Sequence, residues 1–118
     1  MADVETRVEL TCLLDFYGPL LTEHRREVLR LYCEEDLSLA EIAEQLSITR
    51  QGVSDALQKG RRQLADYEEK LGLAQRYRAL GDQAQRCMRA LDRVHAEGED
   101  LESINEAREA LQNILYER

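Results

Sequence analysis

Tryptophan is absent from this sequence, and aromatic residues make up only 5% of its 118 residues. A surface that binds nucleic acid by stacking many bases on aromatic rings is therefore not expected. Proline occurs once and glycine six times, so few residues interrupt regular structure. Because apolar residues recur at intervals of three and four, the regular elements are predicted to be helices, and the predicted fold class is all-α.

Long apolar segments are also missing. No run approaches the ~20 apolar residues of a membrane-spanning helix, so membrane insertion is not expected. Five charged residues among the first twenty do not fit a signal peptide. The three cysteines, Cys12, Cys33 and Cys87, are odd in number and far apart. We therefore expect reduced thiols that are buried in the core of a cytoplasmic protein.

Arrangements of residues that carry out catalysis are not found in the sequence either. There is no Ser-His-Asp order, no metal-ligand cluster and no glycine-rich loop for phosphate. Only two histidines occur, at His24 and His95. The sequence therefore predicts a protein that is not an enzyme and that requires no cofactor and no metal.

Positive charge is scarce, since the formal net charge is −8. Residues 1–48 contain 11 acidic and 4 basic residues, a balance of −7. Residues 49–70 contain 4 acidic and 5 basic residues (+1), and residues 71–118 contain 9 and 7 (−2). The segment from residue 49 to residue 70 could therefore face nucleic acid, but strong non-specific binding is not expected from this chain.

The pattern from Ser38 to Leu64 predicts two helices joined by a tight turn. Ser38 and Glu41 have the spacing of a capping box, and Thr49 can cap the second helix. Apolar residues then recur at helical spacing in both segments. They are Leu39, Ile42, Ala43 and Leu46, followed by Val53, Ala56, Leu57 and Leu64. This is the sequence form of a helix-turn-helix, whose second helix normally enters the major groove of DNA.

Polar residues of the second helix and its cap are the candidate DNA-binding site. Arginine and glutamine in the first turn have suitable donors for base edges and phosphates. The candidate residues are Thr49, Arg50, Gln51, Ser54, Asp55, Gln58, Lys59, Arg61 and Arg62. The pattern alone leaves an alternative open, because two helices and a tight turn also occur in helical proteins that bind no nucleic acid.

The rest of the chain predicts a helix-turn-helix domain at residues 1–72 and a helical hairpin at residues 73–118. Helices at 3–17 and 23–33 precede the helix-turn-helix. Gly60 lies inside its second helix, which suggests that a neighbouring helix packs closely there. Gly72 is predicted to end that helix.

Two amphipathic helices are predicted in the hairpin. Tyr77, Leu80, Ala84, Cys87, Leu91 and Val94 form the first apolar stripe, and Leu101, Ile104, Leu111 and Leu115 lie on the second. Such a hairpin must cover its apolar surface against the first domain, a second copy or another protein. We expect a homodimer, with the hairpin as a packing or dimerisation element. Arg86, Arg89 and Arg93 form a basic stripe that is either a solvated helix face or a contact to RNA.

Several separated motifs of this chain resemble the YlxM-type family of small bacterial helix-turn-helix proteins. The motifs are LDFYG at 14–18, LLT at 20–22, SLxEIA at 38–43, ITRQGVxD at 48–55 and LxxYExKLGL at 64–73, where x marks a position outside the resemblance. Residues 23–64 also resemble region 4 of sigma factors, which reads a promoter element. That second resemblance implies that Arg50, Gln51, Ser54 and Asp55 occupy base- and phosphate-contacting positions.

The resemblance implies a non-enzymatic DNA-binding regulator, in a family whose genes often lie beside those of the signal-recognition-particle GTPases. A role linked to the signal recognition particle pathway is therefore an expectation. The alternative is an accessory protein that binds the particle's GTPase or RNA without reading DNA. The interface would then be either the acidic residues from 23 to 44, in contact with the GTPase, or the basic stripe of the hairpin, in contact with RNA.

Overall fold

The computed structural model describes the backbone of residues 4–116 and the side chains of residues 7–116. Six α-helices follow one another, with one 3-10 turn (Gly18–Leu20) between the first two and no strand within residues 4–116. The helices are α1 Val4–Tyr17, α2 Glu23–Cys33, α3 Leu39–Leu46, α4 Arg50–Leu71, α5 Leu73–Asp92 and α6 Glu99–Tyr116. The predicted all-α class is confirmed. The predicted start of the first helix, at residue 3, lies outside the described residues.

The chain divides into two compact units, one extending to Ala74 and the other beginning at Gln75. In the first unit, α1 to α4 enclose a single core. Val28, Leu29, Ile42, Val53 and Leu64 are each fully buried. Each of these side chains lies on the apolar stripe of its helix, so the periodicity of the sequence selects the buried face.

Side-chain caps start α2, α3 and α4, and those of α3 and α4 are the caps predicted from the sequence. Thr22 Oγ1 accepts the backbone N–H of Arg25 at the start of α2. At the start of α3, Ser38 Oγ accepts the N–H of Glu41 at 3.1 Å, and Glu41 Oε1 accepts the N–H of Ser38 at 3.0 Å. These reciprocal bonds complete the predicted capping box. Each cap satisfies N–H groups that have no partner within the helix.

The junction between α4 and α5 is held by side chains from two helices. Gly72 ends α4 in the left-handed conformation, with φ of 62°, where glycine carries no steric penalty. The next two N–H groups are the first of α5. Leu73 N–H donates to the Tyr17 hydroxyl at 3.0 Å, and Ala74 N–H donates to Glu68 Oε1 at 3.1 Å. Tyr17 itself donates to the same carboxylate oxygen at 2.7 Å, so α1 fixes where α5 begins.

The second unit has almost no core of its own. Ala84 is buried, whereas among the described residues of α6 none is. Large apolar side chains on the predicted stripes are exposed to solvent, with 53% exposure for Leu80 and 44% for Leu101. An ion pair between Arg108 and Asp92 joins α6 to the end of α5. Two helices have too little surface to bury each other's apolar faces.

The cysteines differ from the prediction of buried core thiols. Cys87 is exposed, and Cys12 and Cys33 are only half-buried. Cys87 lies on the apolar stripe of α5, on which Leu80 is also exposed. Burial raises the pKa of the Cys33 thiol, while the charges of Arg7 and Arg61 act in the opposite direction. Within the described part of the chain, no helix is long and apolar enough to span a membrane.

Candidate nucleic-acid interface

The helix-turn-helix is formed by α3, a three-residue turn and α4. Ser47 takes a left-handed conformation, with φ of 56°, and its N–H donates to carbonyl groups at the end of α3. Ile48 N–H donates to the Ala43 carbonyl at 3.0 Å. Thr49 Oγ1 then accepts the N–H of Gly52 at 2.9 Å. The first residues of α4 are therefore anchored at the protein surface directly after the turn.

The buried side of α4 faces the core, and most of the predicted site lies on its other side. Val53 and Leu64 are fully buried, and Ala56 and Leu57 are nearly so. Seven of the nine predicted residues are exposed and two are half-buried. The exposed residues are Thr49, Arg50, Gln51, Asp55, Gln58, Lys59 and Arg62, and the half-buried ones are Ser54 and Arg61.

Ion pairing divides the cations of this surface into two groups. Lys59 Nζ lies 3.1 Å from Asp55 Oδ2, so its charge is partly offset. Neither Arg50 nor Arg62 forms an ion pair with a residue that the structure describes. Arg50 at the start of α4 and Arg62 three turns later therefore carry the unneutralised positive charge of the exposed face.

Arg61 lies on a different side of α4 from Lys59 and Arg62. At about 100° per residue, Arg61 lies roughly 160° around α4 from Lys59. It is half-buried, and its charge acts on Cys33 at the end of α2. Lys59 and Arg62 lie at the other edge of α4, beside the start of α2. The nine residues predicted to bind DNA therefore do not all lie on one side of α4.

One cation beside this surface is not among the residues predicted from the sequence. Arg25 of α2 lines an open groove together with Lys59, Arg62, Gln63 and Asp66. The sequence offers one indirect signal, which is Gly60. Its lack of a side chain lets α2 approach α4, so that a cation from another helix adjoins the exposed face.

The acidic loop between α2 and α3 is partly neutralised. Asp36 forms an ion pair with Arg7, and Glu35 lies 3.4 Å from Arg30 Nη1. Hydrogen bonds from the same Arg30 lower the pKa of Glu27 below its ordinary value. Glu34 and Glu44 are exposed. The acidic surface that a basic partner protein could contact is therefore smaller than the sequence suggests.

In the second unit, Arg86, Arg89 and Arg93 are all exposed. At about 100° per residue, Arg86 and Arg89 lie on the side of α5 opposite its apolar stripe, and Arg93 directly follows the last residue of the helix. Among the described residues of both units, no group of three or more histidine, cysteine, aspartate or glutamate side chains could hold a metal ion.

Comparison with known proteins identifies relatives over nearly the whole chain. Residues 4–104 match a family model described as "Putative helix-turn-helix protein, YlxM / p13 like". A UPF0122 protein of Desulforamulus reducens is 39% identical over 110 residues, which cover 93% of each chain. A UPF0122 protein of Clostridium kluyveri is 40% identical over 94 residues, 80% of this chain and 85% of the relative. The UPF0122 protein of Acetivibrio thermocellus is 54% identical over 69 residues, 58% of this chain and 59% of the relative.

Proposed function

The chain belongs to the YlxM / p13-like helix-turn-helix family, and on that premise we propose that it is a cytoplasmic, DNA-binding regulatory protein. It reads duplex DNA with the exposed face of α4. Arg50 and Gln51 contact base edges, and the later polar residues of the helix contact the backbone. The family is described by this motif and not by a reaction, and the proposed role involves no catalysis.

The observation that supports this proposal is the placement of the first turn of α4. Thr49 caps that turn and Val53 is fully buried behind it. Arg50 and Gln51 are both exposed beside each other at the helix start. In helix-turn-helix proteins, the N-terminal residues of the second helix contact base edges in the major groove. Arginine can donate two bonds to guanine, and glutamine can pair with adenine.

Binding to a selected site provides the test. A preferred duplex is first selected from a genomic fragment pool with the wild-type protein, and affinities are measured by fluorescence anisotropy. Arg50→Ala and Gln51→Ala should each weaken binding to that duplex by about 1–3 kcal/mol. Arg78→Ala and Gln83→Ala remove the same side chains from exposed positions on α5 and serve as matched controls. Equal affinity of the wild type and the Arg50→Ala/Gln51→Ala variant for every duplex would contradict the proposal.

A second function is supported by the arginine face of α5. Arg86 and Arg89 are exposed on α5, and exposed Arg93 directly follows its last residue. Three neighbouring arginines match a contact to a phosphate backbone. In this reading the protein is an accessory of the signal recognition particle and binds its RNA or its GTPase. Replacing the three arginines by glutamine should then abolish binding to the particle's components and leave selected duplex binding unchanged.

The two functions are distinguished by titrating the same variants against the selected duplex, the particle's RNA and its GTPase. Loss of duplex binding in Arg50→Ala, with the arginine-face variant unaffected, supports the DNA regulator. The reverse pattern supports the accessory function. We further propose that the protein acts as a homodimer, because the apolar faces of α5 and α6 are left open within their own unit.

A further inference from the structure

A cationic groove lies between the first turn of α2 and the middle of α4. Its lining residues are Arg25 from α2 and Lys59, Arg62, Gln63 and Asp66 from α4. The groove is open to solvent, and no apolar side chain is part of its lining. It adjoins the exposed face of α4, because Lys59 and Arg62 belong to both.

Gly60 is the reason that a side chain from α2 reaches this position. A Cβ atom on Gly60 would lie 2.7 Å from Leu29 Cδ1 and 3.8 Å from the Cβ atom of Arg25. Contacts this close mean that α2 packs directly on the backbone of α4. The side chain of Arg25 therefore extends from α2 beside Gln63, which lies one turn after Gly60 in α4.

Hydrogen bonds hold the Arg25 guanidinium in the groove. Its Nη1 atom donates to Gln63 Oε1 at 2.8 Å, and Gln63 Nε2 donates to the Tyr67 hydroxyl at 3.0 Å. A neutral amide positions the arginine without cancelling its charge. Because a guanidinium has five N–H donors, most of them remain available for a ligand.

The charges of the groove favour an anion. Lys59 is paired with Asp55, and Asp66 is paired with Lys70, in both cases at 3.1 Å. Each of these groups is therefore partly neutralised by its own neighbour along α4. Arg25 and Arg62 form no ion pair with any residue that the structure describes. Two unneutralised guanidinium groups therefore line one groove, and guanidinium groups bind phosphate with well-defined geometry.

The distance from the start of α4 fits the DNA backbone. Lys59 and Arg62 lie about 13 Å and 18 Å beyond Arg50 along the helix axis, at 1.5 Å per residue. The major groove is about 12 Å wide. When Arg50 contacts base edges inside it, Lys59 and Arg62 are far enough along α4, and far enough around it (about 180° and 120°), to face the phosphates at the edge of the groove.

We propose that Arg25, together with Arg62 and Lys59, binds a backbone phosphate of the duplex that α4 reads, and that Gln63 positions Arg25 for this contact. The inference rests on the proposed DNA-binding function. It adds a residue from α2 to the interface and separates the contact that sets affinity from the contacts that set sequence preference.

The test is the salt dependence of duplex binding for full-length Arg25→Gln. Removing one phosphate contact should make the slope of log affinity against log salt concentration shallower by about 0.9. Affinity for the selected duplex and for an unrelated duplex should fall by the same factor, because a phosphate contact carries no sequence information. Arg26→Gln removes the same charge from the next, exposed position of α2 and should retain the wild-type slope.

Two further variants separate binding from folding. Arg25→Lys keeps the charge and should retain the wild-type slope even if its affinity is lower, because lysine lacks the planar fork. Gln63→Leu keeps the charge of Arg25 but removes the hydrogen bond that positions its guanidinium. This variant should bind both duplexes more weakly, by the same factor. Melting temperatures from circular dichroism report whether each variant is folded.

Each failure has a distinct pattern. If folded Arg25→Gln keeps the wild-type salt-dependence slope while specific binding still depends on Arg50, the groove does not bind a backbone phosphate. The proposed DNA-binding function would then remain intact. A wild-type protein that binds no duplex would overturn both. If Arg25→Gln weakens binding to structured RNA and not to duplex DNA, the groove binds a different nucleic acid and the inference is wrong.

Discussion

Single residues determine how closely the helices of the first unit approach one another. At Gly60 a hydrogen atom replaces a side chain, and the buried side chain of Leu29 fills the space. The glycine weakens α4 as an isolated helix, but it permits the contact with α2 that places Arg25 beside Gln63. The sequence prediction of a close neighbour at Gly60 is confirmed.

The first prediction compares two helical glycines. Gly60→Ala should lower the free energy of unfolding by about 1–3 kcal/mol, because its Cβ atom would collide with a buried leucine. Gly81→Ala is the matched control, since nothing lies within 4 Å of its Cβ position. It should stabilise the protein by about 0.5–1 kcal/mol through helix propensity. Urea unfolding measures both changes, and a stabilising Gly60→Ala would contradict the described packing.

A second prediction at this scale concerns the capping box of α3. The N–H and side chain of Ser38 lower the pKa of Glu41 below its ordinary value. A carboxylate whose pKa is lower in the folded state stabilises the protein above its unfolded-state pKa of about 4.3. This contribution is lost as the pH falls through the lower, folded-state value.

Glu41→Gln should therefore melt at a lower temperature than the wild type at pH 7, and the difference should disappear in more acidic solution. Glutamine can still complete a capping box, so the comparison isolates the charge. Glu44→Gln removes the same charge from an exposed position on the same helix and is the control. A difference between wild type and Glu41→Gln that stays constant down to pH 3 would rule out the pKa shift as its cause.

At the scale of elements, side-chain hydrogen bonds define where the helices begin. Thr22, Ser38 and Thr49 cap three of them through contacts with residues three positions later. The start of α5 is different, because its first N–H donates to Tyr17, which lies 56 residues earlier. The connection from α4 to α5 thus depends on the folding of α1.

Tyr17→Phe should expose that dependence. The change removes the hydroxyl that accepts the Leu73 N–H and donates to Glu68, while it keeps the buried ring. We expect a loss of about 1–2 kcal/mol, since a partly buried N–H and a carboxylate lose a partner. Tyr32→Phe is the control, because among described residues its hydroxyl has no hydrogen-bond partner, and it should change stability by less. If Tyr17→Phe and Tyr32→Phe lower the free energy of unfolding by urea equally, the hydrogen bonds of the Tyr17 hydroxyl do not stabilise the protein.

At the scale of the whole molecule, one unit has a core and the other lacks one. The apolar stripes of the hairpin, from Tyr77 to Val94 and from Leu101 to Leu115, extend for about 25 Å and 21 Å. A hairpin that presents both stripes to one partner offers a face of roughly 400–500 Å². A stable interface buries about 800 Å² on each partner. The face is therefore of the right order for a two-fold contact between hairpins once flanking side chains are included, and this supports the proposed homodimer.

Leu80→Asp tests the proposed dimer. Leu80 is 53% exposed, so the change should not unfold the unit but should place a charge within the apolar face. Sedimentation at tens of micromolar protein should show a dimer for the wild type and a monomer for the variant. Gln85→Asp adds the same charge at an exposed position away from the stripe and should remain dimeric. A monomeric wild type would contradict the proposal.

Features that depend on nearby residues were predictable from the sequence. The all-α class follows from apolar spacing, and Ser38, Thr49 and Gly72 mark helix ends because capping contacts involve residues only three or four positions apart. The exposure of Arg50 and Gln51 also follows, since Val53 and Leu57 determine which side of α4 is buried. The family resemblance stated from the sequence motifs is confirmed by the matching family model.

Features that join distant residues were decided by the tertiary structure alone. Arg25 meets Gln63 across 38 residues, and Tyr17 meets Glu68 across 51; no periodicity of the sequence encodes such pairs. Cys87 lies on an apolar stripe like a core residue, yet it is exposed. Periodicity shows which face of a helix is apolar, but only the packing of the other helices determines whether that face is covered.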